Sequence, residues 1–142
     1  MKFRPCIDIH NGCVKQIVGG SLADKNSAAD ENFVSEYGGG YYAELYKSRG
    51  LSGGHIIILN PAGSEYYEAD RRQAFSALEK YPMGLQIGGG VNVDNAAEYI
   101  SHGASHVIVT SYVFKDGKIS FERLEKLWSA VGKERVVLEL SC

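Results

Sequence analysis

The stretch FRPCIDIHNGCVKQIVGG places Asp8 and His10 at the end of an apolar run. Further along, Gly88, Gly89 and Gly90 follow the apolar LQI, Thr110 and Ser111 follow VIV, and Glu139 and Ser141 follow VVL. A carboxylate at the end of a buried strand is costly unless it is paired, hydrated or at work, and partial desolvation raises its pKa toward the range of a general base. Asp8 therefore reads either as a base or as a carboxylate hydrogen-bonded to loop amides. His10 reads as a proton shuttle or, beside a turn, as a structural hydrogen-bonding group. Three glycines before a helix starting near Asn92 leave backbone N–H groups unobstructed at the positive end of a helix dipole, where a phosphate would be held. The alternative is that they make only a tight strand-to-helix turn. Thr110 and Ser111 add two hydroxyl donors at the next strand end.

The elements that must position these residues alternate along the chain. After the first strand (3–9), Asn11 and Gly12 tolerate positive φ and predict a hairpin into CVKQIV. Residues 19–40 are rich in Gly, Ser, Asn and Asp without a clean period, which predicts a long surface loop. Beyond it, YYAELYKS, EADRRQAFSALEKY, NVDNAAEYIS and FERLEKLWSAV carry apolar residues at helical spacing, with Ser120 as the N-cap of the last. HIIILN, GLQI, HVIVT and RVVLEL are short apolar runs suited to strands buried on both faces. The tyrosines at 41, 42, 46, 66 and 67 and Trp128 are assigned to packing. His55, His102 and His106 fall at helix ends or strand starts, away from the strand ends that would hold a ligand.

This order is that of right-handed βαβ units on a parallel sheet, whose ligands bind at the carboxyl ends of the strands. The expected fold is α/β, either a small open sheet or part of a (βα)8 barrel. With four βα units and a fifth strand it is about half of such a barrel, over one domain spanning 1–142.

Composition removes several classes of function. With 44% hydrophobic and 23% charged residues the chain can bury one modest core, and a net charge of −2 with scattered lysines and arginines offers no basic stripe for nucleic acid. Cys6, Cys13 and Cys142 are odd in number and lack metal-ligand spacing, which argues against a disulfide framework or a zinc site and for a reducing, cytoplasmic location. No apolar run approaches a membrane span, and no address signal is visible at the N-terminus.

Taken together, CIDIHNGCVKQIVGG, AELYKSRGLSGGHIIIL, LQIGGGVN and HVIVTSYVFKDGKISFERLEKL resemble the eukaryotic-type phosphoribosylformimino-5-aminoimidazole carboxamide ribotide isomerases, from residue 3 to 142. The resemblance implies a (βα)8 barrel and a step of histidine biosynthesis. That step is an Amadori rearrangement of an aminoaldose to an aminoketose, on a small ribotide with a phosphate at each end and without metal or organic cofactor. It implies Asp8 as the general base, a phosphate site at Gly88, Gly89, Gly90, Thr110 and Ser111, and substrate contacts at His10, Gly19 and Gly20. The family's general acid and its second phosphate site fall beyond the length of this chain. Glu139 matches an acidic position at the fifth strand end, usually aspartate, and is the candidate second carboxylate. Asn60 and Pro61 depart from the pattern at the second strand end. Two other readings are a non-catalytic phosphate-binding half-barrel, self-associating through its open edges, and the related cyclase barrel of the same pathway, to which IDIHNGCVKQ is less similar.

Overall fold

Along Cys6–His10 (β1) buried residues alternate with exposed or half-buried ones, Ile7 and Ile9 facing inward and Cys6 and Asp8 the other way. That alternation is the period of a pleated strand. The computed structural model describes residues 1–17 and 31–140. Asn11 and Gly12, with φ of 52° and 75°, turn the chain into Cys13–Ile17 (β2), as expected for a two-residue hairpin loop. Glu31–Val34 (β3) then pairs antiparallel with β2.

The long loop expected over 19–40 is thus corrected at its C-terminal side, because β3 occupies part of it and the first helix, Gly39–Ser48 (α1), begins inside it. Gly39 and Gly40 serve helix packing. A Cβ on Gly39 would lie 2.7 Å from the Gln73 carbonyl oxygen, and one on Gly40 would lie 2.5 Å from Ser76 Oγ. Only residues without a side chain let α1 approach its neighbour so closely.

The chain continues as Gly54–Ile58 (β4), Tyr67–Lys80 (α2), Leu85–Gly88 (β5), Val93–Ser101 (α3) and Val107–Val109 (β6). A small hairpin of Phe114–Lys115 (β7) and Lys118–Ile119 (β8) turns at Asp116 and Gly117 and precedes Phe121–Val131 (α4). A 3-10 turn, Lys133–Arg135, leads into Val136–Leu138 (β9). The sequence reading passed over β7 and β8, although the Asp-Gly pair is a strong turn signal.

The main sheet has the order β3-β2-β1-β4-β5-β6-β9, and β1, β4, β5, β6 and β9 are mutually parallel. The helices cover one face, where Ile7, Ile9, Ile56, Ile58, Leu85, Ile87, Val107 and Val109 meet Ala43, Ala74, Ala77, Leu78, Ala96, Leu124 and Leu127. The opposite face carries Asp8, His55, Ile57 and Gln86, all half-buried. Four βα units and a fifth strand with helices on one side match part of a (βα)8 barrel. Among the described residues no helix is long and apolar enough to cross a membrane.

Of the tyrosines assigned to packing, Tyr42, Tyr46 and Tyr67 lie against the core. Tyr41 and Tyr66 are exposed, a correction to that assignment, and Tyr41 stacks on Tyr37 at 4.3 Å between ring centres.

Candidate functional site

Strand register brings the carboxylate and the glycine run onto one level. Asp8 pairs with Ile57, and Ile57 pairs with Gly88, so the two lie in one row across three parallel strands. Two strand spacings separate them, about 10 Å. A Cβ on Gly88 would touch Ile57 Cδ1 at 2.9 Å and Ile108 Cβ at 3.2 Å, which places Gly88 on the face of those residues. Two and three residues beyond the level of that row, Thr110 and Ser111 follow β6 in a turn whose carbonyl, that of Thr110, accepts from Val113 and Phe114 N–H. The glycine run and the hydroxyl pair therefore end neighbouring strands at the carboxyl end of the sheet.

Asp8 opens into a cavity of about 270 Å³ lined by Cys6, Val14, Lys15, Gln16, Phe33, Tyr42 and Tyr46. This cavity lies on the β2 side of β1, away from the glycine run. Inside it the Cys6 thiol donates to Asp8 Oδ1 at 2.8 Å. Desolvation, then the hydrogen bond to Asp8 and its charge, push the Cys6 thiol well above its usual range, so it is protonated at neutral pH and serves as a donor. Tyr46 is pushed up by the same desolvation and donates its hydroxyl to the Cys6 carbonyl at 3.3 Å.

His10 ends β1 and pairs with Cys13 across the hairpin. Glu139 follows β9, is exposed, and donates its N–H to the Val109 carbonyl. Four strand spacings, about 19 Å along the sheet, lie between β1 and β9. Within this chain Glu139 is thus too distant to share a proton with Asp8. The candidate substrate contacts Gly19 and Gly20, and Ser141 with them, lie outside the described residues.

The glycine run has a structural duty beside any chemical one. Gly89 and Gly90 have φ of 92° and 68°, and a Cβ on Gly89 would fall 2.0 Å from the Ile58 carbonyl oxygen. Gly90 by contrast faces open space, its nearest neighbour being the Tyr67 hydroxyl at 4.0 Å.

The start of α3 differs from the open cradle expected of it. Asn92 accepts from Asp94 N–H at 2.8 Å and Asn95 N–H at 3.2 Å, while Asn95 Oδ1 accepts from Asn92 N–H at 2.9 Å. This reciprocal cap occupies three amides of the first turn. Those three amides are therefore already satisfied within the helix start. Replacing Asn92 with alanine is expected to cost about 1–2 kcal/mol, read as a lower urea midpoint at unchanged m-value. An unchanged midpoint would show that the cap contributes nothing.

The departure at the second strand end is structural in character. Asn60 Oδ1 accepts from Asn11 N–H at 2.7 Å, and Asn60 Nδ2 donates to Asn11 Oδ1 at 2.9 Å, tying the β1–β2 turn to the end of β4. The sequence reading also missed Asp70, a fully buried carboxylate on α2. Its signal was positional: Asp70 stands four residues before Ala74 and seven before Ala77, on the buried stripe of that helix.

The profile of a family described as "Histidine biosynthesis protein" matches residues 2–142. A chloroplastic imidazole-4-carboxamide isomerase of Medicago truncatula is 52% identical over 146 residues, an alignment that covers 100% of this chain and 45% of that protein. The isomerase of the same name from Yarrowia lipolytica is 48% identical, with 99% of this chain and 52% of the relative covered. That of Saccharomyces cerevisiae is 46% identical with the same two shares. The chain spans about half the length of the curated relatives it matches.

Proposed function

Because the chain belongs to the histidine biosynthesis protein family, we propose that it carries the base and one phosphate site of an aldose–ketose isomerase acting on a phosphoribosyl aminoaldose. The observation that supports this reading most is the row Asp8–Ile57–Gly88. It sets a carboxylate and the glycine run at the end of β5 about 10 Å apart in one row. In the proposed Amadori rearrangement the furanose ring oxygen is protonated, the ring opens to a Schiff base, and Asp8 removes the C2 proton. The enol then relaxes to the aminoketose. Gly89 and Gly90 amides with the Thr110 and Ser111 hydroxyls hold the near phosphate. The general acid and the far phosphate site belong to the length that relatives have beyond this chain. A cytoplasmic location is part of the proposal on the strength of the free thiols Cys6 and Cys13.

A non-catalytic phosphate-binding half is the second reading, favoured by the distance between Asp8 and the exposed Glu139. Self-association through the sheet edges would accompany it, since Phe33 and Val34 on β3 and Leu138 on β9 are exposed there.

The test is turnover of the ribotide substrate by a fusion of this chain, from its N-terminus to the end of β9, with the C-terminal half of the Saccharomyces cerevisiae relative. The 142-residue chain is assayed beside it. The fusion is expected to turn over. A fusion that unfolds cooperatively as a folded protein and yet is inert would overturn the isomerase reading. Turnover by the 142-residue chain, lost on dilution, would mean that self-association rebuilds a site.

A further inference from the structure

The Asn11–Gly12 turn, which begins three residues beyond the proposed base, is held by the second βα unit and not by its own strands alone. Asn60 takes the Asn11 N–H, Asp70 Oδ1 accepts from Gly12 N–H at 2.6 Å, and Gln73 Nε2 donates to the Gly12 carbonyl at 3.1 Å. Gln73 reaches a third element as well, since its Oε1 accepts from Gly39 N–H at 2.8 Å at the start of α1. In a two-residue hairpin loop such groups normally face water. Here each is taken by a side chain from residues 60–73.

Of these three, Asp70 is the costly one. It is 0% exposed, and its Oδ2 has no hydrogen-bond partner. Burying a carboxylate with one oxygen unmatched costs stability, and an asparagine of the same shape would accept from Gly12 as well. Burial pushes the Asp70 carboxyl above its usual range, opposed by the Gly12 hydrogen bond and by the fields of His10 on β1 and Lys15 on β2. What this costly group supplies is a rigidly held acceptor: from the buried face of α2 its Oδ1 fixes the Gly12 N–H, next to the end of the strand that bears the proposed base.

We propose that Asp70 is a positioning residue of the proposed isomerase site: through Gly12 N–H it locks the β1–β2 turn, and so sets the end of β1 that carries Asp8 and His10. The proposal rests on the isomerase reading for its function and on the hydrogen-bond geometry for its structure, and the two are separable. Asp70→Ala removes the acceptor, whereas Asp70→Asn keeps it.

Amide hydrogen exchange in the 142-residue chain reads the structural half. In Asp70→Ala, exchange at Gly12 and Asn11 is expected to rise by at least about tenfold while Ile87 and Val109 hold, and in Asp70→Asn to stay within about threefold of the parent. In the fusion described above, kcat is expected to fall by about tenfold to a hundredfold in Asp70→Ala with KM changed little, and to recover in Asp70→Asn. Unchanged Gly12 exchange in Asp70→Ala overturns the proposal, as does a rise shared by every amide, which marks a general loss of stability. Faster Gly12 exchange with unaltered kcat also overturns it. A parent fusion without turnover counts against the isomerase reading alone, and the exchange comparison then decides whether Asp70 holds the turn.

Discussion

Asp8→Asn in the fused, full-length protein is expected to lower kcat by about a hundredfold to ten-thousandfold, the range that a positioned general base supplies. Asparagine has the shape of aspartate and keeps an oxygen to accept from the Cys6 thiol, which now bonds Oδ1 at 2.8 Å. It has no lone pair basic enough to take a carbon-bound proton. Stability is therefore expected to change by no more than about 0.5 kcal/mol, since Asp8 is only half-buried and no core contact is lost. Phosphate affinity is also expected to hold, because the glycine run is two strands away. Turnover with equilibrium unfolding and inorganic phosphate titration on the same preparation separates these effects. Retention of kcat within tenfold would remove Asp8 from the role of base, and the phosphate-binding reading would then stand alone.

Gly89→Ala is expected to be the most damaging single substitution for folding. Its Cβ would lie 2.0 Å from the Ile58 carbonyl oxygen and 2.8 Å from Ile58 N and C, all backbone atoms at the end of β4 that cannot rotate away. The φ of 92° adds a conformation that L side chains rarely adopt. Strand β5 must separate from β4 to admit the methyl group, at about 3–5 kcal/mol, or on the order of 10 °C in Tm. Gly90→Ala is the control: its φ of 68° is also left-handed, but its Cβ enters open space. It is expected to cost only about 1–2 kcal/mol. Similar losses at the two positions would mean that β5 and β4 have room to adjust, and the close approach at Gly89 would not be the reason for glycine there. Phosphate binding that fails in Gly90→Ala while the fold survives would assign the space above Gly90 to the anion.

The hairpin at Asn11 and Gly12, the four helices and the five parallel strands follow from signals local to the chain. Positive-φ residues sit between strand-like runs, apolar residues recur at helical spacing in FERLEKLWSAV, and glycines stop elements. Local signals also put Asp8, the glycine run, and Thr110 with Ser111 at strand ends, because parallel order fixes which end of each strand faces the ligand. The α1 glycines, Gly39 and Gly40, were misread for a reason that lies elsewhere in the molecule. Glycine is favoured both in loops and where a helix approaches closely, and only Gln73 and Ser76, more than thirty residues on, decide between the two. Strand β3 likewise depends on β2 as its partner, since Glu31–Val34 has no convincing period of its own.

The order of elements, the family resemblance and the residue types at the strand ends are all legible along the chain. That the Ile58 backbone requires glycine at 89, that Asn60 and Asp70 hold the Asn11–Gly12 turn, and that Glu139 stands four strands from Asp8 emerge only in the folded chain. The physical reason is range. Dihedral preference and hydrophobic period act over a few neighbouring residues, whereas a close backbone approach, a buried carboxylate and a row across strands arise between residues 30 to 130 positions apart, and exist only once the sheet has set its register.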